Sequence, residues 1–394
     1  MAEPVRVLVL NAVAAVGLRR FPADRYVVGK DIDDPDAILV RSQDMHAMAL
    51  PSGLKAVARA GAGTNNIPVV ALSARGVPVF NAPGANANAV KELVLAGLLM
   101  AARNIPAALR FVHDLAVGAD EIDRVVEDGK KAYAGFELAG HTLGIVGLGK
   151  IGCLVADAAV RLGMDVIGFD PDITVDAAWS LPSQVRKANS LTDLLKSAHF
   201  VTLHVPLVEA TRHLIDAQRI GLMKTGAVLL NFSRDGVVDE PAVLQGLASG
   251  KLRYYVCDFP SVVQRHLDKV IALPHLGAST REAEDNCAIM AVDQLRAYLE
   301  HGEVRNSVNF PDVVMHRESA YRIAIANANV PNMVGQISTE LARERLNIHN
   351  MLNKSRGDIA YTLVDVDSKV PGTVFDRIRS IEGVLAVRYL PLES

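Results

Sequence analysis

The chain has 394 residues, half of them hydrophobic, and its 41 Lys and Arg stand against 44 Asp and Glu for a formal charge of -3. That length exceeds what one hydrophobic core usually serves, so two or three domains are expected. The balanced charge offers no basic face to nucleic acid or an anionic membrane, which leaves a small molecule as the partner.

From the N-terminus, VRVLVLN reads as a buried strand entering a loop rather than a secretion signal, because Glu3 and Pro4 stand where positive charge is required. The apolar runs AILV (37–40), KAVARAG (55–61) and VPVFNAPG (77–84) then alternate with helical stretches, the pattern of a parallel α/β layer. A helix over NANAVKELVLAGLLMAARN follows, with Asn86 or Asn88 as N-cap; charged Lys91, Glu92 and Arg103 leave its apolar part too short to span a bilayer. A polar stretch from about 113 to 135 separates this half from the next. Cys153, Cys257 and Cys287 lie far apart without a CxxC pair, which argues against a disulfide framework or a metal site and fits a reducing cytoplasm.

The next unit opens with HTLGIVGLGKIGCLVADAAVRLGMDVIGFDP, in which a strand ends in Gly147, Gly149 and Gly152, passes into a helix and returns as a strand closed by Asp170. The first glycine permits a tight turn, the second lets backbone approach a pyrophosphate, and the third lets helix pack on strand. Asp170 is placed to accept from ribose hydroxyls and to repel a 2'-phosphate, so the expected cofactor is NAD rather than NADP. Strands HFVTLHVP (199–206), GAVLLNFS (226–233), YYVCDF (254–259) and KVIALPH (269–275) continue the sheet, and ligands bind at the C-terminal ends of such strands. Beyond residue 305 the texture changes: NSVNFPDVVMHRES reads as a linker, and a βαββαβ order runs from 321 to the end.

Three groups fall at those strand ends: Arg234 in NFSRDGVVDE, Asp258 in VCDFP and His275 in LPHLGAST. Hydride exchange with a 2-keto acid needs a cation that fixes the carboxylate and a group that moves the hydroxyl proton. The planar fork of Arg234 suits the first task and His275 the second. Earlier, the loop ARAGAGTNNIP offers successive backbone N–H groups around Gly61, Ala62 and Gly63, a nest for an anion, with Arg41 and Arg59 adding charge for a phosphorylated substrate. Lys130 and Lys131 are further cations, equally readable as solvated residues.

LVRSQD, ARAGAGTNNIP, NAPGANANAVKELVL, LGIVGLGKIG, HVPL, NFSRDGVVDE, PHLGAST with EAEDNCA, NSVNFP and the tail from Tyr321 together resemble the D-isomer-specific 2-hydroxyacid dehydrogenases, in the branch acting on 3-phosphoglycerate with a C-terminal ACT regulatory domain. The resemblance implies an α/β protein of two Rossmann-like parallel-sheet domains, a substrate domain from 1–98 and 277–305 and an NAD domain from 99–276, with a linker at 306–320 and the ACT domain at 321–394. It implies a cleft closing on substrate and a homodimer or homotetramer assembled through the first helices of the NAD domain. Gly147, Gly149, Lys150, Ile151, Gly152, Asp170, Val205, Pro206, Phe232, Ser233, Arg234, Asp258, His275 and Gly277 become cofactor contacts. Asn329 and Asn347 match an amino-acid effector loop, whereas Asn327 and Asn332 replace a His and a Gly frequent there. The family pairs its histidine with a Glu shortly after the DVF-like strand end, and here Ser261, Val262 or Val263 stands in that place. Within this stretch Asp258 and Asp268 remain as partners for His275, and Asp258 is the better placed. Two alternatives stay open: a dehydrogenase that keeps this mechanism and acts on 2-hydroxyglutarate or another 2-hydroxy acid, and, motivated by the absent Glu, an NAD(H)-sensing protein that has lost turnover.

Overall fold

Buried apolar runs without alternation, such as Val7–Leu10 and Ala37–Val40, belong in parallel sheets covered on both faces. In the computed structural model, which describes residues 3–392, they form two such sheets. The first has five parallel strands in the order Tyr26–Gly29, Val5–Leu10, Ala37–Val40, Ala56–Arg59, Val79–Phe80, the flavodoxin-like arrangement. The long helix Arg281–His301 covers it with a face of Cys287, Ala291, Val292, Leu295 and Tyr298, which join Leu39, Ala58 and Phe80 in one apolar cluster.

The second sheet has seven parallel strands in the order Val270–Ala272, Leu252–Cys257, Ala227–Asn231, Phe200–Leu203, Thr142–Val146, Asp165–Phe169, Arg186–Lys187. The chain runs outward in opposite directions from Thr142–Val146 and Phe200–Leu203, so the topological switch point lies between those two strands, as in dinucleotide-binding sheets. By contact, the chain divides into residues up to Asn86 with those from Arg281 onward, and Ala87–Thr280. The sequence-drawn limits were 98 and 276. The helix Ala87–Ala102 accounts for the first difference, because its Val90, Val94, Leu98 and Ala101 are buried with Leu143, Ile145, Leu230 and Val256 of the seven-stranded sheet.

The C-terminal βαββαβ segment forms an antiparallel sheet in the order Ile348–Arg356, Ile359–Val366, Tyr321–Ala328, Val384–Pro391. One face has its own core with the helices Met333–Arg343 and Gly372–Ser380, whereas Ala324, Tyr361, Leu363 and Leu390 on the other join Phe80, Tyr298 and Phe310 of the five-stranded unit. Arg322, fully buried, donates two hydrogen bonds to the Asp365 carboxylate at 2.6 and 2.8 Å and further ones to the carbonyls of His301 and His316. Arg388 donates to the carbonyls of Tyr298 and Leu299 at 3.1 and 2.8 Å, satisfying the last turn of the long helix. The 306–320 segment, expected as a linker, packs Phe310, Val313 and Met315 into the same core. Among the described residues no single helix is long and apolar enough to cross a membrane.

Candidate active site

The strand Thr142–Val146 ends in a turn whose three glycines have different steric settings. Gly147 has φ +93°, and a Cβ there would lie 2.5 Å from the His204 carbonyl oxygen. A Cβ on Gly152 would lie 2.0 Å from the Gly147 oxygen, so the helix Lys150–Arg161 can approach the strand only without one. At Gly149, the N-cap of that helix, a Cβ would meet nothing within 4 Å, and this open approach to a helix N-terminus suits a pyrophosphate. Asp170 follows the next strand and accepts from Leu148 N–H at 2.8 Å and Asp172 N–H at 3.0 Å, which fixes its carboxylate beside the turn. The donor and acceptor set therefore fits a dinucleotide. Lys150 is exposed and Ile151 half-buried on the helix; Val205 and Pro206 leave the strand on the other side of the switch point.

Arg234 and His275 come together across an aromatic ring. The Arg234 guanidinium lies 5.6 Å from the centre of Phe259, and the His275 imidazole 4.6 Å from the same ring. Both polar side chains are exposed, whereas what positions them is buried. Asn231, at the end of its strand, donates to the Arg234 carbonyl at 2.8 Å and accepts from Ser233 N–H and Oγ, which fixes the loop through Phe232, Ser233 and Arg234. His275 has φ +56°, the left-handed region. Asp258, 2 % exposed, accepts from Leu276 N–H at 2.7 Å and Gly277 N–H at 2.8 Å, so this carboxylate holds the turn after the histidine rather than the imidazole itself. Burial pushes its carboxyl up from the ordinary value, while those N–H groups and His275 pull it down. Asp268 pairs instead with Arg110 at an exposed site. Cys257, the last residue of the strand before Asp258, is a thiol that burial pushes up to about 11.

The model for the NAD-binding domain of D-isomer-specific 2-hydroxyacid dehydrogenases matches residues 95–277. A D-3-phosphoglycerate dehydrogenase of Haemophilus influenzae is 34% identical over 83% of this chain and 79% of its own length. Another, of Methanocaldococcus jannaschii, is 38% identical over 72% of this chain, which spans only 53% of that longer relative. A solved Thermus thermophilus protein, 29% identical, superposes with a TM-score of 0.64 over 77% of this chain and 100% of its own. The chain belongs to the D-isomer-specific 2-hydroxyacid dehydrogenases.

As a member of this NAD-dependent family, it carries a further cationic group on its five-stranded sheet. Arg41 follows one strand and Arg59 ends the next, and Arg59 Nε donates to the Arg41 carbonyl at 2.8 Å. The N–H groups of Ala62 and Gly63 have no protein acceptor among the described residues, and Asn81 holds this loop through the Ala62 carbonyl. Sequence reasoning missed Glu284, whose carboxylate pairs with Arg41 at 2.5 Å. It also missed Phe259 and Asn231, which no motif marks as more than strand-end residues. His204, in the HVPL stretch, bonds Thr202 Oγ1 at 3.0 Å and is driven down to about 3 by burial, so it stays neutral. The two residues expected at an effector loop are not brought together: Asn329 adjoins Gly357 and Asp358, whereas Asn347 adjoins Asp367, at opposite ends of one strand. At ~3.4 Å per residue they lie about 30 Å apart. Among the cations left open, Lys130 pairs with Glu127.

Proposed function

We propose that this dehydrogenase oxidises 3-phosphoglycerate to 3-phosphohydroxypyruvate, the entry step to serine. The observation that carries the reading is the Arg234–Phe259–His275 array in the same unit as the dinucleotide turn, supported by the names of the two relatives. Arg234 takes the substrate carboxylate in its planar fork and holds C2 in one orientation. His275 accepts the C2 hydroxyl proton during oxidation and returns it in the reverse direction. NAD, when bound, accepts the hydride. Arg41, Arg59 and the N–H groups of Ala62 and Gly63 hold the phosphate. Asp258 acts through the backbone of the His275 turn and is a positioning residue.

The finer organisation follows the same reading: a substrate domain and an NAD domain, with the βαββαβ segment as an ACT-type regulatory module carrying Asn329 and Asn347 at opposite ends of its sheet. The protein works as a cytoplasmic homo-oligomer. Supporting this, the amphipathic helix Ile105–His113 has no buried residue, and Leu109 and Val112 are 66% and 52% exposed. The test is to follow NADH absorbance with 3-phosphohydroxypyruvate and, separately, with 2-oxoglutarate. Preference for the phosphorylated acid supports the proposal. Equal rates would move the substrate to the 2-hydroxyglutarate class, and NADH binding without turnover would make the chain a sensor.

A further inference from the structure

The seven-stranded sheet has a cavity at the N-terminal ends of its strands. Its volume is about 440 Å³, and His141, His199, Thr225, Arg253 and Lys269 line it. His141 and His199 immediately precede Thr142–Val146 and Phe200–Leu203, and Lys269 precedes Val270–Ala272, so the cavity lies at the opposite end of the sheet from the glycine turn. No carboxylate lines it among the described residues.

The hydrogen bonding of His199 is incomplete in an instructive way. Its Nδ1 accepts from the Thr142 backbone N–H at 3.0 Å, so in the neutral ring the proton resides on Nε2. Burial and the neighbouring Lys224 and His141 hold this ring below its ordinary value. Its Nε2–H therefore faces the Lys224 ammonium, 3.1 Å away, and an ammonium has three donors and no acceptor. Two donors point at one another with no acceptor between them. His141 Nδ1 and Arg253 Nε are buried without a hydrogen-bond partner among the described residues. Arg253 is already held by stacking on Phe136 at 5.1 Å and by a bond to Asn104 Oδ1 at 3.3 Å.

The geometry points to a binding site for a small oxyanion of the phosphate type in this cavity, held by His199 Nε2–H, Arg253 and Lys269, with Lys224, which adjoins the lining residue Thr225 and lies 3.1 Å from His199 Nε2, as a further donor. Such an anion supplies the acceptor that the two facing donors lack. The site is separate from the Arg41 and Arg59 group, and its existence does not depend on which 2-hydroxy acid is the substrate.

Equilibrium dialysis of the full chain against labelled inorganic phosphate, at fixed ionic strength with chloride as balancing ion, tests it. The expected result is one saturable site that persists in an Arg41→Ala/Arg59→Ala variant and weakens at least tenfold in Lys224→Met. His199→Phe should weaken it as well. An unchanged melting temperature of Lys224→Met without phosphate certifies the fold of that variant. Phosphate binding that vanishes with the two arginines, or is indifferent to Lys224→Met, overturns the proposal. So does a Lys224 amine that titrates as neutral near pH 7 in labelled-lysine NMR, because it would itself accept from His199.

Discussion

The two parallel sheets follow one architectural rule and put different chemistry on it. Each ends a strand in cationic residues, yet on the five-stranded sheet Arg41 faces a carboxylate at 2.5 Å, whereas on the seven-stranded sheet Arg234 lies over the ring of Phe259 and donates to the Ser233 carbonyl at 2.6 Å, with no carboxylate paired to it among the described residues. A paired guanidinium is neutralised until a stronger anion displaces its partner; one resting on an aromatic face keeps its charge for an incoming carboxylate. The difference teaches that strand-end position selects where a ligand binds, and the immediate neighbour sets how much charge it meets.

The strongest way to break this contrast is at Arg234. Arg234→Ala should lower kcat/KM by on the order of 10³-fold, about 4 kcal/mol in the barrier, with NADH binding retained in a fluorescence titration; a loss below tenfold would refute its orienting role. Arg234→Lys should recover little, because a point charge lacks the fork. On the other sheet, Arg41→Ala with Arg59→Ala should raise KM for the phosphorylated acid about 10–100-fold, the worth of roughly 1.4–2.7 kcal/mol, while leaving unphosphorylated acids nearly unchanged. An equal rise for both substrate types would remove the phosphate from that site.

Asp258→Asn sharpens the comparison within the seven-stranded sheet. It places an NH₂ against the Leu276 or Gly277 N–H, and the expected cost is about 1–3 kcal/mol of stability with a drop in kcat larger than any change in KM. Unaltered kcat in a destabilised protein would make the residue purely structural. Glu284→Gln should act in the opposite sense from the arginine variants, lowering KM for the phosphorylated acid several-fold by releasing Arg41; an unchanged KM would show that the pair opens without cost.

The smallest effect concerns acid stability. His204 has a native value of about 3 against 6.5 unfolded, so its contribution is complete above pH 6.5 and is lost as pH falls from there toward 3. The slope from one such group is ~1.4 kcal/mol per pH unit. Urea midpoints measured between pH 7 and 4 should fall less steeply in His204→Asn than in the parent; parallel slopes would dismiss the group as a source of acid sensitivity.

The dinucleotide turn was legible because its signal is local: apolar strand, spaced glycines and terminal acid lie within one short stretch. Arg234 and His275 were legible for the same reason, each at the end of a strand-like run. What the sequence hid depended on contacts distant along the chain. The pairing of Arg41 with Glu284 joins the two chain segments of the first unit, and Phe259 becomes a bridge only once two strands lie side by side. The helix Ala87–Ala102 has an apolar face that fits either sheet by composition, and only packing assigns it to the second. Segment 306–320 has linker chemistry, Pro and Asn among apolar residues, and those apolar residues found a core. The question of a carboxylate for His275 also had a non-local answer, since the acid acts on backbone two residues further on.

The left-handed backbone of His275 has a consequence for how the residue should be replaced. Asparagine and glycine enter that conformation with little strain, whereas a β-branched substitute would distort the turn and the Leu276 and Gly277 amides with it. His275→Asn is therefore the replacement that removes the proton carrier and spares its scaffold. A loss of activity in His275→Val would mix missing chemistry with a rebuilt loop.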